Sequence, residues 1–149
     1  MSTTDSVAFF DHQFQKQARD REFALNPFER KALPHLHGRV LDYGCGLGNL
    51  AFAAAAERGC AVLALDASPA AIAHIRQRAA AEALPVQAEM ADLRNYALGE
   101  DFDAVVSIGL LMFFDCPTAY KTLEVLKTHV RAGGIAVMNV LVEGTTYLD

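Results

Sequence analysis

The chain has 149 residues, 52% of them hydrophobic, which is enough apolar material to bury a single core without disulfides or metals. Its formal net charge is −5 and it has no basic cluster, so the composition argues against binding to nucleic acid. Three scattered cysteines without a C-x-x-C spacing predict reduced thiols and no metal site. No apolar run is long enough to span a bilayer, so we expect a cytoplasmic protein.

Residues 1–38 precede the first predicted strand and are rich in phenylalanine. Asn26-Pro27 interrupts this segment, which predicts one helix that ends by Leu25 and a second helix that begins at Pro27. The residues alone indicate a helical leader packed on the domain formed by residues 39–149.

A buried strand that runs into a three-glycine turn is the most informative segment of the chain. It spans Val40 to Gly48 (VLDYGCGLG), and a predicted helix follows from Leu50 to Arg58. Glycines admit positive φ and let a ligand lie against the main chain, while the helix N-terminus faces an anionic group. A nicotinamide-binding turn has its third glycine one position later, where this chain has Asn49. A tight connection without a ligand is the alternative.

Two more acids follow predicted strands. The strand Ala61–Leu65 ends in Asp66, where a carboxylate is placed to accept both hydroxyls of a ribose, and the strand Pro85–Met90 is followed by Asp92. Each acid taken singly also fits a turn, capping or solvated role. Because parallel strands present their carboxyl ends along one edge, we expect these two acids and Asp42 to line one crevice.

The rest of the chain continues the alternation of strands and helices. Phe102–Ser107 is a fourth strand, Pro117 begins a helix that continues through Val130, and Gly133-Gly134 turns the chain into a fifth strand, Ile135–Val142. This alternation predicts an α/β fold with a parallel sheet in the order 3-2-1-4-5.

With these motifs the chain resembles the class I S-adenosylmethionine-dependent methyltransferases from Arg39 to about Val142. The resemblance implies a Rossmann-like doubly wound fold, S-adenosylmethionine as cofactor and S-adenosylhomocysteine as product. It also implies a leader that closes over the cofactor cleft as a lid. Asp42 would reach the methionine amino group, Asp66 the ribose hydroxyls and Asp92 the adenine amine. The other implied cofactor-binding residues are Tyr43, Gly44, Cys45, Gly46 and Gly48 in the turn, Ala67 and Leu93 against the adenine, and Ser107 and Ile108 after the fourth strand.

The implied chemistry is transfer of a methyl group by in-line displacement. The cofactor carries its own leaving group, so a dedicated acid or base is optional and no catalytic residue is assigned. Candidates near the methyl group are Tyr43, Ser107–Leu111 and Phe10–Phe14. His12 would be a base there, although a solvated or capping role is the commoner one for a lone histidine on a helix.

The region around the fourth strand looks like that of tellurite-resistance-type and other small-molecule methyltransferases. The similarity rests on Phe102–Ser107 and the following run Leu110–Phe114. An apolar run after a strand is also typical of a core, which stays open as the alternative. The motifs of DNA-methylating enzymes are missing at this position. We therefore expect a small neutral or anionic acceptor.

Members of the family usually continue past the fifth strand with a helix and an antiparallel pair of strands, and this sequence lacks them. We expect a truncated methyltransferase. The alternatives are a non-catalytic S-adenosylmethionine-binding module and, less favoured, a nicotinamide-dependent oxidoreductase fragment. We also expect the edge formed by Ile135–Val142 to pair in a homodimer, with the tail Glu143–Asp149 near the contact. A tail that folds over the edge of a monomer is the alternative.

Overall fold

The computed structural model describes residues 3–143. No helix of this described segment is long and apolar enough to cross a membrane. In chain order the elements are α1 (Thr3–Arg19), α2 (Pro27–Ala32), a 3-10 turn (Leu33–His35), β1 (Arg39–Tyr43), α3 (Asn49–Arg58), β2 (Ala61–Asp66), α4 (Pro69–Glu82), β3 (Val86–Met90), β4 (Phe102–Ser107), a second 3-10 turn (Leu111–Phe113), α5 (Cys116–Thr128) and β5 (Val130–Met138).

The strands form one five-stranded sheet in the order β3-β2-β1-β4-β5, and every pairing in the described segment is parallel. This confirms the predicted order and the Rossmann-like fold class. Successive apolar side chains of the inner strands pack on opposite faces of the sheet, as expected of a sheet that helices cover on both faces. Val40 packs with α3 and α4, whereas Leu41 packs on the other face with Leu126 of α5. Because the strands are all parallel, their carboxyl ends lie along one edge of the sheet.

The leader folds as two helices that pack on this sheet domain. α1 ends at Arg19, before Leu25 as predicted, because Arg21 adopts a left-handed φ of 57° that a helix cannot continue. α2 begins at Pro27 as predicted, and Asn26 caps it by accepting a hydrogen bond from the Glu29 amide over 2.8 Å. α1 lies against α4. The division of the chain at residue 38 stays a prediction.

The predicted boundary between the last helix and the last strand is wrong. β5 already begins at Val130, so Gly133-Gly134 lie inside the strand rather than before it. They form an irregularity in the β4 and β5 register between Phe102 and Ala104. Gly133 has a φ of +79°, and a Cβ on Gly134 would lie 2.6 Å from the Asp103 carbonyl oxygen. Glycine is required because the chain bulges there against the neighbouring backbone.

β5 lies at the edge of the sheet and, within the described segment, pairs only with β4. It ends at Met138 rather than at the predicted Val142. Beyond it, Val140 and Val142 are each 63% exposed. Exposed apolar residues beside an unpaired strand edge favour self-association. The homodimer stays a prediction. Its proposed contact through the tail from residue 144 onward lies outside the described residues.

If this edge is the dimer contact, charges placed beside it should separate the subunits. We expect the double substitution Val140→Lys and Val142→Lys to weaken dimerisation by at least about tenfold, because like charges then meet across the two-fold axis. Light scattering over a range of protein concentrations measures this. Tyr120→Lys on α5, where the tyrosine is 70% exposed, is the matched control and should leave the dimer intact. A wild-type chain that stays monomeric at every concentration contradicts the dimer.

Candidate functional site

A cavity of about 920 Å³ opens at the carboxyl ends of β1, β2, β3 and β4. The turn between β1 and α3 and the loops after the other three strands form its floor. α1, α2 and the second 3-10 turn form its roof. This volume is at the upper end of the range for small-molecule sites, and ligands of open parallel sheets bind at such an edge. The predicted residues that line the cavity are Asp42, Gly44, Cys45, Gly46, Asp66, Ala67, Asp92, Leu93 and Ile108.

Three predicted residues lie behind the cavity wall. Side chains alternate along a strand, so Tyr43 points away from the cavity, and its hydroxyl donates a hydrogen bond to the Leu93 carbonyl. The Ser107 hydroxyl donates to the Tyr43 carbonyl over 3.0 Å. A Cβ on Gly48 would lie 3.0 Å from Ile75, so this glycine lets α3 approach α4 closely. Direct contact of these three residues with a ligand stays a prediction.

The first two glycines of the turn belong to the cavity floor and lie close beneath its opposite wall. Gly44 and Gly46 have φ values of +81° and +53°. A Cβ on Gly44 would lie 3.1 Å from Leu110, and a Cβ on Gly46 would lie 3.1 Å from the Phe14 ring. Any other residue would be strained in its backbone, and its Cβ would press on the Leu110 or Phe14 side chain.

Asp66 holds the floor of the cavity together. Its Oδ2 accepts a hydrogen bond from the Gly46 amide over 2.8 Å, and its Oδ1 accepts one from the Ser68 amide over 2.9 Å. The carboxylate is 9% exposed, and burial raises its pKa although these amides act in the opposite direction. A carboxylate fixed in this way presents its remaining lone pairs to the cavity.

Asp42 is the most strongly perturbed acid of the floor. It is 6% exposed, and burial raises its pKa to about 8, with further repulsion from Glu29 and Asp66. Burial also raises the pKa of Glu29, which lines the same cavity from α2. Buried carboxylates that repel one another bind a cation favourably, because the cation restores their ionised forms.

Asp92 differs from the other two strand-end acids. The Arg94 guanidinium donates two hydrogen bonds to it, over 2.9 and 2.8 Å, and these bonds lower the pKa of Asp92. The carboxylate is exposed at the rim of the cavity. If Asp92 bound an adenine amine as predicted, its carboxylate oxygens would have to accept hydrogen bonds from both the amine and Arg94.

Aromatic side chains form the roof. The Phe10 ring lies 4.9 Å from the Phe113 ring and 6.1 Å from the Phe14 ring, measured between centroids. Phe10 and Phe113 thus join the leader to the segment after β4. His12, a predicted candidate base, is exposed on α1 and does not line the cavity.

Sequence reasoning missed several residues that line the cavity. Glu29 belongs to the capping box at Asn26. The capping box predicts where α2 begins, but it does not predict that the Glu29 side chain lines the cavity. Asn49 occupies the position of a dinucleotide-site glycine, and its Oδ1 is buried without a hydrogen-bond partner in the described segment. Asp11 carried no signal, because Ser68 and Ala70, which donate to it, lie far along the chain and only the fold brings them near. Arg94 bonds Asp92 two positions before it, a local pair that the sequence analysis did not consider. Among the described residues, no group of three or more His, Cys, Asp or Glu side chains is arranged to hold a metal ion.

Comparison with known proteins identifies one family. The sequence profile described as "Methyltransferase domain" matches residues 40–134. Among curated proteins, "Hemagglutinin 1" of Eikenella corrodens is 36% identical over 97 residues, which are 64% of this chain and 32% of that protein.

Solved structures share the fold. TehB from Haemophilus influenzae superposes with a TM-score of 0.70 at 23% identity, over 77% of this chain and 40% of its own. Coclaurine N-methyltransferase bound to N-methylheliamine and SAH gives a TM-score of 0.66 at 22% identity, over 74% of this chain and 34% of its own. The chain thus spans less than half the length of each of these relatives.

The buried acid at the end of β1 should make stability depend on pH. The pKa of Asp42 is about 8 in the folded chain and about 3.9 in an unfolded one, so between these values the folded state holds a proton that the unfolded state has released. Stability should therefore fall as pH rises from about 4 to about 8. Asp42→Asn should remove this loss and stabilise the chain at pH 8 by on the order of a few kcal/mol.

Urea unfolding at pH 5 and pH 8 measures this effect. Asp20→Asn, at an exposed position beyond the end of α1, is the control and should keep the wild-type difference between the two pH values. An Asp42→Asn chain with the same pH difference as wild type would contradict the assignment to Asp42.

Proposed function

Since the chain belongs to the methyltransferase domain family, we propose that it binds S-adenosylmethionine in this cavity and promotes methyl transfer to a small-molecule acceptor. The observation that carries the proposal is the structure of the cavity floor. There the glycines that follow β1 lie beside Asp66 at the end of β2. Asp66 accepts its hydrogen bond from the Gly46 amide, so the two parts form one surface. Coclaurine N-methyltransferase, which shares the fold, binds N-methylheliamine and SAH, the demethylated product of the same cofactor.

The cofactor fits the chemistry of the cavity wall. S-adenosylmethionine supplies a methyl group on a sulfonium, and it carries an ammonium on its methionine end. Asp42, which is buried, and Glu29, which is half-buried, would attract the positive charges, because the two carboxylates repel each other and neither is paired with a cation among the described residues. The unpartnered Oδ1 of Asn49 offers a further acceptor at this end. Asp66 would take the ribose hydroxyls, and Ala67, Leu93 and Ile108 would pack on the base.

The aromatic roof supports a role in alignment and exclusion of water. No histidine, lysine or tyrosine belongs to the described part of the cavity wall. Phe10, Phe14 and Phe113 close it from above, with Leu110 and Phe114 beside them. These side chains would hold the acceptor against the methyl group and exclude water from the in-line displacement.

This wall also bears on the acceptor. Apolar rings favour a small and largely apolar molecule. The acid-lined floor and the net charge of −5 disfavour a nucleic-acid acceptor. A chain that binds the cofactor but transfers no methyl group to any acceptor would be the binding module considered as the alternative above.

The ribose contact gives the most direct test. Asp66→Ala should weaken binding of S-adenosylhomocysteine by on the order of 2 to 3 kcal/mol, because charge-assisted hydrogen bonds are lost. Calorimetry measures the affinity, and circular dichroism checks that the loop still folds without its carboxylate. Asp101→Ala, at an exposed position before β4, is the control and should bind as wild type. Unchanged affinity in Asp66→Ala, or tighter binding of NAD than of the methyl donor, would overturn the assignment.

A second test uses the proton held by Asp42. At pH 7 an acid whose pKa is about 8 is mostly protonated, and a bound ammonium should lower that pKa and release up to about one proton. Calorimetric titration with S-adenosylhomocysteine in two buffers of different ionisation enthalpy counts the protons released. Asp42→Asn should abolish most of the release. Equal proton release from both chains would show that the ammonium does not lie beside Asp42.

A further inference from the structure

Asp11 bonds the first helix of the leader, α1, to the start of α4 in the sheet domain. It lies in α1, but its Oδ1 accepts a hydrogen bond from the Ser68 hydroxyl over 2.6 Å and another from the Ala70 amide over 3.0 Å. Its Oδ2 accepts a hydrogen bond from Gln15 over 3.0 Å within the same helix. Ser68 and Ala70 are more than fifty positions further along the chain, so these bonds are purely tertiary.

The N-terminus of α4 accounts for the strength of this contact. The first amides of a helix have no partner within it, and Pro69 at the first position has none to offer. Ser68 accepts from the Ala71 amide over 3.1 Å, and Asp11 takes the Ala70 amide that remains. A carboxylate at a helix N-terminus is also favoured by the helix dipole. These hydrogen bonds lower the pKa of Asp11, so the carboxylate stays ionised near neutral pH.

Ser68 also connects this contact to the cavity floor. Its amide donates to Asp66, and its hydroxyl donates to Asp11. The leader and the proposed ribose acid are therefore bonded to one residue from two sides. A movement of Asp11 would break the hydrogen bond that the Ser68 hydroxyl donates.

The ring residues of the roof are placed by the same helix. Phe10 precedes Asp11 directly, and Phe14 follows it by three positions, so all three lie on one face of α1. Phe14 lies over Gly46, and Phe10 contacts Phe113 on the other side of the cavity. Bonding Asp11 to the start of α4 therefore sets the position of both rings over the floor.

We propose that Asp11 is a positioning residue that latches α1 over the cavity through Ser68 and Ala70, and so slows release of the cofactor. The identity of the ligand rests on the function proposed above. The latch itself rests on the contacts that α1 makes with Ser68 and Ala70. Its two consequences are separable. Without the carboxylate, α1 should open more often in the free chain, and a ligand held beneath it should leave faster.

The experiment compares Asp11→Ala, Asp11→Asn and the exposed control Asp20→Ala with wild type. Hydrogen exchange of residues 5–19 in the free chain should be at least about tenfold faster in Asp11→Ala. The dissociation rate of S-adenosylhomocysteine, followed by stopped flow, should rise by a similar factor. Asp11→Asn keeps an Oδ1 that can accept both bonds and should restore most of each value. Asp20→Ala should match wild type.

Each outcome decides a different point. Leader exchange in Asp11→Ala that equals wild type overturns the latch whether or not the ligand binds. Faster exchange with an unchanged dissociation rate overturns the coupling between leader and cavity. A wild-type chain that binds no S-adenosylhomocysteine refutes the proposed function, while the exchange comparison still tests the latch. Urea unfolding of the chain detects a general loss of stability, which would accelerate exchange in the strands as well as in α1.

Discussion

The two hydrogen bonds that Asp66 accepts connect the parts of this structure that matter for function. One comes from the Gly46 amide in the β1 turn, and the other comes from the Ser68 amide at the start of α4. Through them the glycine turn, the end of β2 and the first turn of α4 form one rigid floor. The leader depends on the same arrangement, because Ser68 is also the residue that Asp11 binds.

Among the described residues, the acids of the cavity have few positively charged side chains bonded to them, and this imbalance determines the electrostatics of the cavity. Asp42, Asp66 and Glu29 are drawn together by the fold, and burial raises the pKa of each. Of the acids that line the cavity within residues 3–143, only Asp92, at the exposed rim, has an arginine bonded to it. Holding buried acids without counterions is costly in a free protein, and it favours a ligand that brings positive charge. An ammonium and a sulfonium are charges of this kind.

The leader shows how a segment outside the sheet completes a site at its edge. Parallel sheets provide amides and acids along one edge, but they leave that edge open to water. Here α1 and α2 cover it with Phe10, Phe14 and Glu29. The rings exclude water, and the acid adds charge on the side of Asp42. The leader therefore adds an apolar cover that the strand ends do not supply, and it adds one more acid to those they do supply.

The sequence by itself determined the parallel sheet, its order and the convergence of Asp42 and Asp66, because periodicity and glycine or proline punctuation are local signals that repeat along the chain. The tertiary structure decided which of these residues face the cavity, and it brought Asp11 and Glu29 to it from the leader. It also placed Gly133-Gly134 in a bulge inside β5 rather than in a turn. These features depend on contacts between residues far apart in the chain, and no local pattern of residues encodes such contacts.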